Sequence, residues 1–141
     1  MKKDSNLILR NISRHILFLG VSKHTKGGMT SVLVSYSKYI ERMRFIPTWK
    51  LGNPIIKGWY ALQAIIRLSI LCVFDKRIRI VHIHGAANAS FKRCKLFISL
   101  AKKFSKKVIL HEHAADFKEY YDRSDQDSIR DTINRCDLLI V

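Results

Sequence analysis

At 141 residues, with 48% hydrophobic and 26% charged side chains, the chain has the size and composition of one ordinary globular domain, which excludes extensive disorder. Its 26 Lys and Arg outnumber 11 Asp and Glu, for a formal net charge of +15. Residues 1–110 hold 22 basic and 3 acidic side chains, whereas residues 111–141 hold 4 basic and 8 acidic ones.

A basic body with an acidic end points to a polyanionic partner: a membrane surface, nucleic acid or a phosphorylated substrate. A solvated basic surface is the plain alternative. Nucleic acid is disfavoured, because the chain has no aromatic RNA-binding pattern, Cys/His finger or helix-turn-helix signature.

The N-terminal Met1-Lys2-Lys3-Asp4-Ser5-Asn6 is basic, but Arg10, Asn11, Ser13, Arg14 and His15 break the apolar stretch behind it, so no signal peptide is read there. Ile16-Leu17-Phe18-Leu19-Gly20 is a short apolar run closing on glycine, the pattern of a strand buried on both faces. Val21 to Gly28 is a polar loop. From Met29 the apolar spacing changes to three and four residues, through Val32, Leu33, Tyr36, Ile40 and Met43, which predicts an amphipathic helix.

Phe45 to Leu51 is a weaker strand that Pro47 assigns to a sheet edge. Gly52-Asn53-Pro54 is a turn, and a helix is predicted from about Gly58 to Phe74. The apolar segment from Trp59 to Phe74 carries Gln63 and Arg67 and is shorter than the roughly 20 residues of a membrane span. Ile78 to His84 is a β-branched strand ending at Gly85. Ser90 is suited to cap a helix with Phe91, Cys94, Phe97, Ile98, Ala101 and Phe104 on one face. Val108 to His111 is a further strand, Asp125 to Cys136 a helix, and Leu138 to Val141 the start of another strand.

Strand and helix alternate throughout, which predicts an α/β fold: a Rossmann-like parallel sheet with helices on both faces. Cys72, Cys94 and Cys136 are scattered, as suits a reducing compartment. The last residues end inside an apolar strand, which reads as a truncated frame.

In such sheets ligands sit beyond the carboxyl ends of the strands. Lys26-Gly27-Gly28, His82-Ile83-His84-Gly85 and His111-Glu112-His113 all fall there. A glycine pair before a helix lets a phosphate approach the backbone and the helix N-terminus, although two glycines also serve a tight turn. The loop is neither a dinucleotide nor a Walker motif. Residues two apart on a strand share a face, so His82 pairs with His84 and His111 with His113. These imidazoles are read either as hydrogen-bonded core residues or as groups that contact a sugar or phosphate oxygen. Four imidazoles would also suit a metal-dependent hydrolase, but no carboxylate or cysteine stands at ligand spacing, so no metal is assigned. The helix after Ser90 bears Lys92, Arg93, Lys95, Lys102 and Lys103, a solvated surface or a docking face for anionic lipid or a phosphorylated acceptor.

Four segments together carry a family resemblance. Ile16-Leu17-Phe18-Leu19-Gly20 with Lys26-Gly27-Gly28-Met29 resembles the opening of family-four glycosyltransferases of the GT-B fold. Val81-His82-Ile83-His84-Gly85-Ala86-Ala87, followed by Ser90-Phe91 and Arg93, is similar to their second conserved block. Val108 to His113 with Asp116-Phe117 resembles the third, and Cys136 to Val141 resembles the strand that leads into the inter-domain cleft.

The resemblance covers nearly the whole chain, 1–141, but only the family's acceptor-side N-terminal domain. It implies a retaining hexosyltransferase that moves a sugar from a nucleotide-sugar donor to a lipid-linked or saccharide acceptor in cell-surface polysaccharide synthesis. It implies cytoplasmic location, peripheral on the inner face of the membrane, and no cofactor, the nucleotide-sugar being a substrate. Lys26, Gly27 and Gly28 would lie at the donor phosphates, and His84, Ser90, Lys92 and Arg93 at the acceptor. His113 is the better match to the family's strand-end histidine, with Ala114 in place of its glycine, and His111 is its rival. The nucleotide-gripping C-terminal domain has no counterpart here, so this length alone is expected not to complete the reaction. From a different class, the alternative is a non-catalytic basic fragment that binds an anionic membrane surface.

Overall fold

A computed structural model describes residues 11–141; the basic residues preceding Asn11 lie outside the described residues. The strands are β1 (Ile16–Val21), β2 (Arg44–Trp49), β3 (Ile80–Gly85), β4 (Lys107–Glu112) and β5 (Leu138–Ile140). The helices are α1 (Gly28–Tyr39), α2 (Pro54–Phe74), α3 (Ala89–Lys103), α4 (Phe117–Asp122) and α5 (Gln126–Asn134). The strands form one sheet in the order β2-β1-β3-β4-β5, with every neighbouring pair parallel. The architecture is the predicted α/β one, a Rossmann-like parallel sheet with helices on both faces.

From β1 the chain steps to β2 on one side, then returns past β1 to β3 on the other. Parallel crossovers are right-handed, so this reversal sends α1 to one face and the following helices to the opposite one. Alternation along the strands turns Leu17, Leu19, Ile46, Val81, Ile83, Val108 and Leu110 towards α2 and α3. There they meet Ala64, Leu68 and Cys72 of α2, and Phe91, Cys94, Phe97, Ile98 and Ala101 of α3. Each fully buried large side chain contributes about 1.5–3 kcal/mol. Gly85 fits beneath α3, where an added Cβ would lie 2.4 Å from Cys94 Sγ.

The other face carries Phe18, His82 and His84, covered by Leu33 and Tyr36 of α1. Gly20 permits that approach: a Cβ there would stand 2.9 Å from Leu33 Cδ1 and 3.3 Å from the Cβ of His84. The edge position predicted for the Pro47 strand is observed, since among the described residues β2 pairs with β1 alone.

Several boundaries differ from the sequence expectation. Helix α2 starts at Pro54, four residues early, because Asn53 caps it, accepting the Ile56 N–H at 2.9 Å, and Pro54 occupies the first turn. It therefore spans 21 residues, long enough to cross a bilayer by length. Ser90 is not the cap of α3. Asn88 holds that position, with φ 60, and the Ser90 hydroxyl instead accepts the Ala86 N–H at 3.1 Å. Helix α1 ends at Tyr39, which leaves Met43 outside it, and α5 ends at Asn134, short of Cys136. The short helix α4 was not anticipated; its six residues are too few for a periodic signal. Before β5, Asp137 is paired with Lys102 and Lys107, and its carboxylate accepts the Val108 N–H at 2.8 Å.

Candidate functional site

Strand order reverses between β1 and β3, and the loops leaving their carboxyl ends separate there, the place where an open α/β sheet makes room for a ligand. The space is a cleft of about 320 Å³ whose lining includes Thr25, Lys26, Gly27, Gly28, Trp49, His84, Ser90 and Arg93. Residues from three distant stretches of sequence thus share one rim.

The β1–α1 loop brings the twin glycines. Gly27 is the N-cap of α1 with φ 149 and ψ 168, a backbone state reserved for glycine. No side chain caps the helix and its first turn holds no acidic residue, so first-turn N–H groups and the positive dipole end are left for an anion. A Cβ added to Gly28 would meet nothing within 4 Å. Space inside the fold therefore does not demand glycine at position 28. Thr25 Oγ1 is buried at this loop without a hydrogen-bond partner.

Opposite stand residues of β2 and α3. The Arg93 guanidinium lies 5.9 Å from the centre of the Trp49 ring, and Lys57 Nζ lies 5.7 Å from the same ring. Burial lowers the Arg93 pKa, though the guanidinium keeps its charge. Trp49 was not singled out from sequence; its one signal was its place at the carboxyl end of a strand.

The four histidines converge as one stacked group. His84 pairs with His111 in register, and ring centres are 4.5 Å apart for His82–His84, 5.2 Å for His84–His113 and 4.0 Å for His111–His113. His84 Nδ1 and His113 Nε2 are 2.9 Å apart, so one ring donates to the other. Burial, then the neighbouring imidazoles, holds His82 down to about 4 and His84 down to about 2. Burial likewise brings His113 to about 4, with His111 adding to it, and lowers His111. All four are neutral at pH 7, able to accept or donate a hydrogen bond without carrying charge. Nε2 of His82 and of His84 and Nδ1 of His111 are buried and unpartnered.

His82, His84 and His111 offer nitrogens within 4.8 Å of one another. Their rings are close to parallel, 15° for His82–His84 and 23° for His82–His111, so the in-plane lone pairs run side by side. Bound to one metal they would have to turn towards a common point.

Of the sequence-predicted residues, Lys26, Gly27, Gly28, His84, Ser90 and Arg93 line the cleft, and His113 and His111 adjoin it through His84. Lys92 does not. It is exposed on the outer side of α3 and lines a separate groove with Lys95, Tyr120 and Ser128. Beside β4, Glu112 Oε1 accepts the N–H groups of His113 and Ala114 at 3.1 and 2.9 Å, which fixes the loop carrying His113.

A Rossmann-like α/β sheet with its cleft at the strand-order reversal is the class that fold and geometry define. Comparisons of the chain with protein-family models, with curated proteins and with solved structures find no match.

Proposed function

We propose that the chain is the acceptor-side half of a retaining glycosyltransferase of the GT-B kind, working on a nucleotide-sugar donor and a membrane-associated acceptor. The observation that carries this reading is the meeting of the Gly27–Gly28 turn, His84 and Arg93 on one cleft, with His113 and His111 behind His84.

Sugar transfer needs its diphosphate leaving group stabilised by backbone amides and cations. In this reading the uncapped start of α1 and Lys26 face the donor phosphates. Gly28 keeps them clear of side-chain atoms. Arg93, held over Trp49, and the Ser90 hydroxyl engage the acceptor. His113 Nε2 is committed to His84, so His113 addresses a sugar hydroxyl through Nδ1, as a neutral imidazole. His111, with a buried nitrogen free of partners, stands as the second contact. The nucleotide itself is gripped by a second α/β domain.

The test is transfer of radiolabelled sugar from a panel of nucleotide-sugars to membrane lipid extract, using the longest polypeptide encoded by the reading frame that contains the chain. Turnover is expected to fall at least about tenfold with His113→Ala. Wild-type turnover in that variant removes His113 from the reaction, and absence of transfer from every donor overturns the reading.

A further inference from the structure

Away from the cleft, the outward face of α2 has no role in the preceding account. Ile55, Trp59, Leu62, Ile66, Ile70 and Phe74 recur at steps of three and four residues, each between 49% and 81% exposed. The inward face, with Ala64, Leu68 and Cys72, is already packed in the core. Helix α2 is thus apolar on both sides, and only 17% of its most apolar 18-residue window is buried.

The charge flanking this stripe along the chain is almost wholly basic. Helix α2 contains Lys57 and Arg67 and no acidic residue, with Lys50 before it and Lys76, Arg77 and Arg79 behind. Asp75 is the single acid between Glu41 and Glu112, and Arg44 and Arg77 already hold it. The neighbouring α3 adds exposed Lys92 and Lys103.

We propose that α2 docks lengthwise on an anionic lipid bilayer, with its apolar stripe at the acyl boundary and the flanking cations among the headgroup phosphates. The helix lies on the membrane and does not span it, since Ala64, Leu68 and Cys72 on its inner face are packed in the core and its two ends lead from β2 and into β3. At 1.5 Å per residue the stripe is about 30 Å long, of the scale of known interfacial helices. A second copy of this chain fits the face less well, because self-association would set the same cations against one another. Helix α2 begins just past the carboxyl end of β2, so its Ile55 and Trp59 end adjoins the cleft at Trp49 and Lys57. A lipid-carried acceptor would then arrive beside the site.

The experiment is co-sedimentation of the whole chain with phosphatidylcholine vesicles made with and without phosphatidylglycerol. Binding is expected only with the anionic lipid, weakening as salt rises. The double substitution Ile66→Ser and Ile70→Ser, at two exposed positions, is expected to lower the vesicle-bound to free ratio about tenfold with the circular dichroism spectrum unchanged. A second readout avoids touching the stripe: in Trp49→Phe protein, Trp59 emission shifts to the blue and is quenched by brominated lipid. Three results overturn the proposal: wild-type binding by the double variant, unquenched Trp59, or a dimer that this variant dissociates in the absence of vesicle binding. No donor or acceptor sugar is present, so failure here leaves the transfer reading standing.

Discussion

The two faces of the sheet bury side chains of opposite character. Towards α2 and α3, the central strand positions are Leu17, Leu19, Val81, Ile83, Val108 and Leu110, hydrocarbon against hydrocarbon. Towards α1, the equivalent central positions are Phe18, His82 and His84, stacked with Tyr36 and His111. Hydrocarbon needs no hydrogen-bond partner, whereas a buried unpartnered imidazole nitrogen costs about 1–3 kcal/mol. One face therefore supplies stability, and the other carries imidazole nitrogens of His82, His84 and His111 that have no partner among the described residues. Glu112 is the exception on the apolar side, with Oε2 buried and unpartnered, and burial raises its pKa.

The sharpest way to break this contrast is to cut into each face. Phe97→Ala, in the apolar layer, is expected to cost about 3–5 kcal/mol in urea unfolding. His82→Leu, which replaces a partnerless imidazole by a hydrocarbon of similar size, is expected to change stability at pH 7 by less than about 1.5 kcal/mol. Equal losses from the two would mean that the imidazole layer is as well satisfied as the apolar one.

Acid destabilises the fold through the imidazole face. His82 and His84 have folded pKa values of about 4 and about 2 against an ordinary 6.5, so below 6.5 the unfolded chain binds protons that the folded one refuses. Their contribution is whole above pH 6.5 and is lost as pH falls below it, by at most about 1.4 kcal/mol per pH unit for each histidine. The raised Glu112 works oppositely, favouring the fold as pH drops towards its unfolded value of 4.5. Urea midpoints measured from pH 7 to pH 5 are expected to fall, and to fall less steeply in His82→Leu. A flat profile would mean that the imidazoles are hydrated.

Within the cleft, the two glycines separate backbone strain from ligand clearance. Gly27→Ala is expected to cost about 1–3 kcal/mol, because φ 149 excludes a side chain. Gly28→Ala, at the first helical residue and with open space around it, is expected to gain up to about 1 kcal/mol while impairing the proposed sugar transfer. Unfolding curves and transfer rates measured on both variants distinguish the two effects.

Much of this was legible in the sequence where periodicity was strong. The alternation of strand and helix, the edge strand with Pro47 and the shared faces of the His-x-His pairs all follow from local spacing. Features set by distant contact were not. Arg93 and Lys92 read alike as neighbouring cations, yet one step of 100° around α3 turns Arg93 onto Trp49 and Lys92 to solvent. Trp49 gained its place from a crossover that no local pattern encodes. The start of α2 was missed because Gly52-Asn53-Pro54 reads as a turn, and the same Asn and Pro also begin a helix. The exposed stripe on α2 was not separable in sequence from the buried face, since hydrophobic spacing does not say which of two apolar faces meets the sheet.

The central claim is that the carboxyl ends of β1 and β3 form a phosphate-accepting cleft. Its most direct test is titration of the ¹⁵N-labelled chain with inorganic pyrophosphate, followed by two-dimensional amide NMR. The account expects saturable shifts concentrated at Gly27, Gly28 and Met29 and at the Arg93 side chain. Shifts confined to the outer lysines of α3, with the glycine amides unmoved, would contradict it.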